Sequence, residues 1–255
     1  MRQSIKQTIL GLTLVSLVWG HGTLGHAAPL TFFGEDAGLG ETTRLTSHPN
    51  ADTAQTDFLS NLTGVGTEDF EGFNDGDQVP LLINFPGAGT ATLTGGGDIL
   101  EVPSGTNGAG RFPISGDKYL ETNTFEFYVE FSSPVAAFGF YGIDIGDFNG
   151  QIELEVVSGA TTTLTIPHTV NGTGGSVIYY GIIDANNPFT KITFTNSGSG
   201  ADVFGFDDLT IGSTEQVTIT PTPPTATPEP GTMALLATGL FGLFGYCWRR
   251  HQQTA

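Results

Sequence analysis

Alternation of apolar and polar residues with a period of two is the feature that most constrains the fold of this chain. Segments 124–131 (TFEFYVEF) and 151–156 (QIELEV) both alternate in this way. Because successive side chains of a strand point to opposite faces, such segments predict half-buried antiparallel strands. Further strand-like segments are separated by clusters of Gly, Asn, Pro and Ser: TATLTG, DILEV, VAAFGFYGI, TTLTI, SVIYYGII, KITFT and VFGFDDLTI. Together they predict an all-β fold, an antiparallel β-sandwich of jelly-roll type over residues 64–213, with a closed barrel as the alternative.

One segment departs from this period. In NADTAQTDFLSNL the apolar residues Ala54, Phe58 and Leu62 have helical spacing, and Asn50 or Asp52 is suited to cap the first turn. A short helix near residues 51–62 is therefore predicted within an N-terminal segment, residues 28–63.

Residues 1–27 have the layout of a secretory signal peptide. Arg2 and Lys6 precede the apolar run TILGLTLVSLVWG, and a region of small residues ends in Ala27. This pattern predicts export and cleavage after Ala27, with a retained N-terminal anchor as the alternative.

The other end of the chain carries a second apolar segment. As a helix, Met233–Trp248 would span about 24 Å, against about 30 Å for the hydrocarbon core of a bilayer. It is preceded by a Thr/Pro-rich linker, residues 214–227, and followed by Arg249 and Arg250, which favour a cytoplasmic location for that end. These features predict a marginal C-terminal transmembrane helix.

The order of these parts, Pro228-Glu229-Pro230, a short apolar helix and the pair Arg249–Arg250, resembles the PEP-CTERM sorting signal over residues 228–255. The resemblance implies recognition by an exosortase, a membrane-embedded enzyme of Gram-negative bacteria. The protein would be anchored transiently in the inner membrane, cut near the motif, and moved to the cell surface or extracellular matrix. A plain single-span anchor is the alternative.

The region upstream of the tail also resembles a known domain. Stretches such as NADTAQTDFLSNLTGVGTEDFEGF and SSPVAAFGFYGIDIGDFNGQ are similar to an all-β domain that recurs just upstream of PEP-CTERM tails. That resemblance supports export and the β fold, and it transfers no site residue.

Charge limits the partners of the exported domain. The chain has a formal net charge of −18, and the basic residues between 28 and 228 are only Arg44, Arg111, Lys118 and Lys191. Such a surface repels nucleic acid and anionic lipid, and it favours cations, above all calcium, or neutral polymers. The single cysteine, Cys247, lies in the tail, so no disulfide can stabilise the domain.

Acidic residues are densest in segment 67–77, TEDFEGFNDGD. Calcium takes six to eight oxygen ligands with loose geometry, and the late strand segment FDDL offers a partner for this loop. Glu71, Asp207 and Asp208 are therefore the predicted calcium ligands, with a merely solvated acidic loop as the alternative. A second cluster, IDIGDFNGQ, contains Asp144, Asp147 and Asn149, and is predicted to be an ordinary turn.

No catalytic signature stands out. The exported domain has only two histidines, His48 and His168, no cysteine and no G-x-S-x-G motif. The glutamate pairs 126/130 and 153/155 fit the solvated side of a sheet. The sequence predicts a non-catalytic surface or matrix protein, structural or binding extracellular polysaccharide, and a glycan-active hydrolase on a β-sandwich is the alternative. Candidates for stacking on sugar rings are Tyr119, Tyr128, Tyr141, Tyr179 and Tyr180.

Overall fold

The computed structural model describes residues 28–103, 105–122, 127–198, 202–219 and 230–252. The predicted signal peptide, most of the predicted linker, and Pro228 and Glu229 lie outside these ranges. Residues 27–222 form one compact unit, and the C-terminal helix belongs to another.

Thirteen strands and two α-helices make up the described part of the chain. The strands are β1 (Leu30–Asp36), β2 (Thr67–Glu68), β3 (Leu81–Phe85), β4 (Gly89–Thr94), β5 (Asp98–Glu101), β6 (Lys118–Thr122), β7 (Tyr128–Val135), β8 (Ala137–Ile143), β9 (Ile152–Ser158), β10 (Ala160–Thr165), β11 (Val177–Ile183), β12 (Phe189–Asn196) and β13 (Phe204–Gly212). The helices are α1 (Pro49–Leu59) and α2 (Pro230–Gln252), and a short 3-10 helix spans Thr214–Gln216.

The strands form two antiparallel sheets. One sheet has seven strands in the order β1-β11-β8-β13-β6-β5, with β2 paired to β13. The other has six strands in the order β10-β9-β12-β7-β4-β3. The main hydrophobic core lies between them and is rich in phenylalanine, including Phe127, Phe140, Phe194 and Phe206. The predicted all-β two-sheet antiparallel sandwich is confirmed.

The two sheets differ in how their outer faces are covered. In the six-stranded sheet, β3 and β9 alternate between buried and more exposed residues, as expected for strands with one face in the core. In the seven-stranded sheet, every residue of β8 and β11 is buried. The outer face of these central strands is covered by a second hydrophobic cluster, to which α1 contributes Ala51, Ala54 and Phe58.

Glycines in β8 and β11 make this packing possible. A Cβ atom at Gly139 would lie 2.9 Å from Phe58 Cε1, and one at Gly181 would lie 2.6 Å from Phe58 Cδ2. The ring of Phe58 therefore rests directly on the backbone of both strands. Larger side chains at these two positions would force the helix away from the sheet.

The N-terminal part of the chain belongs to the sandwich. β1 pairs with β11 along its whole length, whereas the sequence predicted the sandwich from residue 64 onward. The alternation of apolar and polar residues is weak in β1, because α1 packs on this strand. The helix lies so close that a Cβ atom at Gly34 would be 2.1 Å from the carbonyl oxygen of Asn50. The short strands β2, β3 and β6 were not predicted either.

The predicted helix is present, but its first turn is not capped as expected. The N-cap residue is His48, which makes no side-chain cap hydrogen bond, so the expectation of Asn50 or Asp52 as the cap is wrong. Asp36 of β1 supplies the acceptor instead, because its Oδ2 accepts the backbone N–H groups of Asn50 at 3.0 Å and Ala51 at 2.9 Å. Backbone N–H groups in the first turn of α1, which have no acceptor within the helix, are therefore hydrogen-bonded by a residue of the neighbouring strand.

The C-terminal segment is helical from Pro230 to Gln252. Within the described residues, no helix meets the length and apolarity needed to cross a membrane.

A buried histidine ties β9 to the loop before β11. His168 is 2 % exposed; its Nε2 accepts the N–H of Ile152 at 2.9 Å, and its Nδ1–H donates to the carbonyl of Thr169 at 3.2 Å. Burial lowers its pKa from the ordinary value of 6.5, although the Thr169 carbonyl and the Glu35 carboxylate oppose this effect. The folded state therefore holds His168 neutral.

We expect His168 to make folding sensitive to acid. Below about pH 6.5 the unfolded chain takes up a proton that the folded state excludes, so this contribution is present above that pH and is lost as the pH falls. The stability advantage of the wild type over His168→Gln should shrink between pH 7.5 and pH 5, measured by thermal unfolding of the full-length chain. His48→Gln is the control. A difference that stays constant over this range would contradict the prediction.

Candidate functional site

The three predicted calcium ligands each accept hydrogen bonds from segment 114–118. Glu71 is exposed, and its Oε1 accepts the backbone N–H groups of Asp117 and Lys118, each at 2.7 Å. Asp207 and Asp208 lie in β13. In the part of the chain that the structure describes, these three carboxylates do not form a group whose oxygens lie within 4.8 Å of one another.

Asp207 is a fully buried carboxylate that binds backbone. Its Oδ2 accepts the N–H groups of Ile114 at 2.7 Å and Ser115 at 3.1 Å, and its Oδ1 accepts that of Asp208 at 2.8 Å. Burial and the charge of Asp208 raise its pKa, whereas the three N–H groups act in the opposite direction. Asp207 thus fixes segment 112–115 against the sheet.

Asp208 reaches the same segment through an irregularity in β13. The Ser115 hydroxyl donates to Asp208 Oδ1 at 2.7 Å. Successive residues of a regular strand face opposite sides, but the register of β13 against β8 shifts between Asp207 and Thr210, and Asp208 has a φ of 48°. This bulge lets two successive aspartates hold one loop.

A different group of carboxylates does converge. Oxygens of Glu41, Asp144 and Asp147 lie within 4.8 Å of one another. Asp144 is buried, with Oδ1 accepting the N–H of Gly175 at 2.6 Å and Oδ2 accepting Arg111 Nη1–H at 3.0 Å. Asp144 and Asn149 have positive φ, as suits the predicted turn. Sequence reasoning missed Glu41 because about 100 residues separate it from its neighbours.

Burial, together with neighbouring carboxylates, raises the pKa values of Asp144 and of the nearby Asp202. Burial, followed by the charges of Glu41 and Asp147, raises the pKa of Asp144 to about 6, despite the Gly175 N–H and Arg111. Burial and a hydrogen bond with Asp147 raise the pKa of Asp202 to about 8. The cluster can therefore hold a proton, and its spacing matches oxygens about 2.3–2.6 Å from one calcium ion.

A pocket of about 350 Å³ opens beside the second hydrophobic cluster. It is lined by Arg44, Leu45, Thr46, His48, Phe112, Pro113 and Ile114. One wall is segment 44–48, which precedes α1, and the other is segment 112–114, which Asp207 holds in place. The guanidinium of Arg44 lies 5.1 Å from the centroid of the Phe112 ring and donates to the Pro113 carbonyl.

His48 is oriented by residues behind this pocket. Its Nδ1–H donates to Asp52 Oδ1 at 2.7 Å, and the buried Tyr141 hydroxyl donates to the same oxygen at 2.8 Å. Burial, with the charge and hydrogen bond of Asp52, raises the pKa of Tyr141, so its hydroxyl stays a donor. The His48 ring is fixed with Nε2 directed away from Asp52.

The outer face of the six-stranded sheet offers a different kind of surface. Of the five tyrosines proposed for sugar stacking, Tyr119, Tyr141, Tyr179 and Tyr180 are buried. Tyr128 is half-buried, and Lys191 Nζ lies 3.9 Å from the centroid of its ring and 3.4 Å from Glu130 Oε1. In register with Tyr128 are Thr193 on β12 and Thr94 on β4.

Only three of the four glutamates in the pairs 126/130 and 153/155 belong to the described residues. Among the described residues, no carboxylate lines the 350 Å³ pocket. Glu153 and Glu155 are half-buried on β9, and Glu126 lies outside the described residues.

Calcium binding stays a prediction, and the structure changes which residues test it. If an ion binds at Asp147, we expect calcium to stabilise the full-length chain by about 2.7 kcal/mol at a hundredfold excess over Kd, and magnesium to substitute poorly. Asp147→Asn should abolish this rise in Tm, and Asp208→Asn should keep it. The measurement is thermal unfolding in calcium and in chelator.

Two results would contradict this expectation. Equal Tm values of the wild type in calcium and chelator would mean that the carboxylates bind no calcium. Loss of the shift in Asp208→Asn but not in Asp147→Asn would instead support the ligand set predicted from the sequence, Glu71, Asp207 and Asp208.

Comparison with solved structures gives distant similarities to the β-sandwich. The K2 cleaved adhesin domain of Lys-gingipain matches with a TM-score of 0.37 and 12% identity, covering 58% of this chain and 98% of that one. The CBM22-1 xylan-binding domain from Paenibacillus barcinonensis Xyn10C matches with 0.36 and 12%, covering 62% and 96%. TmCBM61, solved with β-1,4-galactotriose, matches with 0.32 and 18%, covering 57% and 94%. Nothing about ligands or activity follows from similarities of this size.

No curated protein matches the sequence. The family model of the PEP-CTERM protein-sorting motif matches residues 226–250, which contain the Pro228-Glu229-Pro230 motif and the pair Arg249–Arg250. The chain therefore carries a PEP-CTERM protein-sorting motif behind an all-β, two-sheet antiparallel domain.

Proposed function

We propose that this is an exported protein of a Gram-negative bacterium, which an exosortase processes at its C-terminal motif and which acts at the cell surface or in the extracellular matrix. The match of residues 226–250 to the sorting motif carries the proposal. The acidic β-sandwich would be the part that remains outside the cell, and we propose that it is non-catalytic.

Transient anchoring in the inner membrane is the first step of this route. α2 begins at Pro230 and reaches past Arg250. Large apolar side chains of α2 are exposed: Leu235, Leu236, Leu240, Phe241, Leu243 and Trp248. Apolar surface of this extent supports contact with lipid before cleavage, and the two arginines would keep their end on the cytoplasmic side.

A structural or glycan-binding role of the sandwich follows from its location and surface chemistry. A net charge of −18 disfavours anionic polymers and leaves neutral polysaccharide as the expected partner. The outer face of the six-stranded sheet supports such binding, because Tyr128 can stack on a sugar ring and Thr193 beside it can hydrogen-bond a sugar hydroxyl.

The processing step is tested by changing the motif and the arginines separately. Glu229→Ala and the double variant Arg249→Gln/Arg250→Gln should each accumulate as uncleaved precursor in the inner membrane, because the first alters the motif and the second removes the topology signal. Glu215→Gln, upstream of the matched residues, is the control. Fractionation and size on gels give the readout, and normal-sized surface protein from both variants would contradict processing at this motif.

The glycan-binding face is tested by Tyr128→Ala. We expect lower retention on neutral xylan and galactan in affinity gels, since the ring supplies the stacking surface. Thr53→Ala, on α1, is the matched control. Equal retention of Tyr128→Ala and the wild type would remove this face from the proposal while leaving the sorting proposal unaffected.

A further inference from the structure

We propose that the pocket between segments 44–48 and 112–114 binds the carboxylate of a small hydroxylated acid, such as a sugar acid, with Arg44 as its anchor. This goes beyond the proposed function, because the pocket is separate from the open face around Tyr128 and takes an anionic group.

Arg44 is unusual in a chain this acidic. The sequence has 26 acidic and 8 basic residues, so an arginine should find a carboxylate easily. Arg111, the other arginine of the domain, pairs with Glu121 at 2.7 Å and Asp144 at 3.0 Å. The ion pairs found among the described residues do not include Arg44.

The guanidinium of Arg44 still has donors to offer. It carries five N–H groups in a fixed plane, and the structure uses it for the Pro113 carbonyl and for the face of Phe112. A carboxylate can accept two parallel N–H groups from such a plane, which is the geometry that distinguishes arginine from lysine. An external carboxylate would give Arg44 the ion-pair partner that the described residues do not supply.

The pocket holds this guanidinium in position before any ligand arrives. Arg44 is half-buried, and the ring beneath it, Phe112, is 1 % exposed. The wall that carries Pro113 and Ile114 is tied to the fully buried Asp207 of β13 through the N–H of Ile114. A preorganised donor loses less entropy on binding than a mobile surface side chain.

The remaining lining specifies a hydroxyl-bearing ligand. Because Nδ1–H of His48 donates to Asp52, Nε2 is the ring nitrogen left to contact a ligand hydroxyl. Thr46 contributes a hydroxyl that can donate or accept. Leu45, Phe112 and Ile114 form apolar walls for the carbon skeleton. A volume of about 350 Å³ fits a single sugar-sized molecule.

Charge favours a monoanion over a phosphate or sulfate-rich ligand. One guanidinium balances one carboxylate, whereas each further negative charge is repelled by a chain of net charge −18. At physiological salt the screening length is about 8 Å, so distant carboxylates weaken the contact at Arg44 less than near ones.

Calorimetric titration of the full-length chain tests the pocket with galacturonate, galactose and inorganic phosphate as probes. We expect galacturonate to bind at least tenfold more tightly than galactose or phosphate. Arg44→Gln should weaken galacturonate binding at least tenfold, and Arg44→Lys should recover only part of it, because lysine keeps the charge and loses the paired donors. Lys118→Gln, outside the pocket lining, is the matched control.

His48→Gln and Thr46→Val keep the test decisive if an Arg44 variant fails to fold, as judged by its thermal transition. Both should weaken galacturonate binding. Galacturonate and galactose binding equally, or unchanged galacturonate affinity in the folded variants, would overturn the proposal.

Discussion

Burial of the central strands of the seven-stranded sheet on both faces is the constraint on which the rest of this structure depends. Every side chain of β8 and β11 is buried, so the outer face of these strands needs a cover as apolar as the inner core. α1 and the segments on either side of the pocket supply that cover. The pocket exists because two loops, rather than one continuous element, close the edge of this second cluster.

Carboxylates fasten the cover to the sheet. Asp36 caps the first turn of α1, Asp207 accepts two N–H groups of segment 112–115, and Asp52 joins His48 to Tyr141. A buried carboxylate that accepts several N–H groups is satisfied without a cation. In a domain without disulfides, these contacts hold loops that a cystine or metal would otherwise have to hold.

Sequence pattern was most informative where only one face of a strand is buried. The alternation in QIELEV predicted β9, and helical spacing predicted α1. β8 and β11, which are buried on both faces, lack this alternation and were predicted only as apolar segments between turn residues. β1, which mixes exposed and buried residues, was not predicted as a strand. The capping of α1 by Asp36 could not be predicted, since the donor and acceptor are 14 or 15 residues apart and meet only when β1 joins the sheet.

The sequence by itself determined the all-β class, the acidic surface and the sorting motif, because each depends on local order or on composition. Only the tertiary structure decided which polar residues share a site. Acidic residues close together in segment 67–77 face different partners, whereas Glu41 and Asp144, or Arg44 and Phe112, become neighbours through long-range strand pairing. The physical reason is that the surroundings of a side chain depend on the register of the sheet and on the helix and loops that pack over it. Both form when distant parts of the chain bury their apolar surfaces against one another.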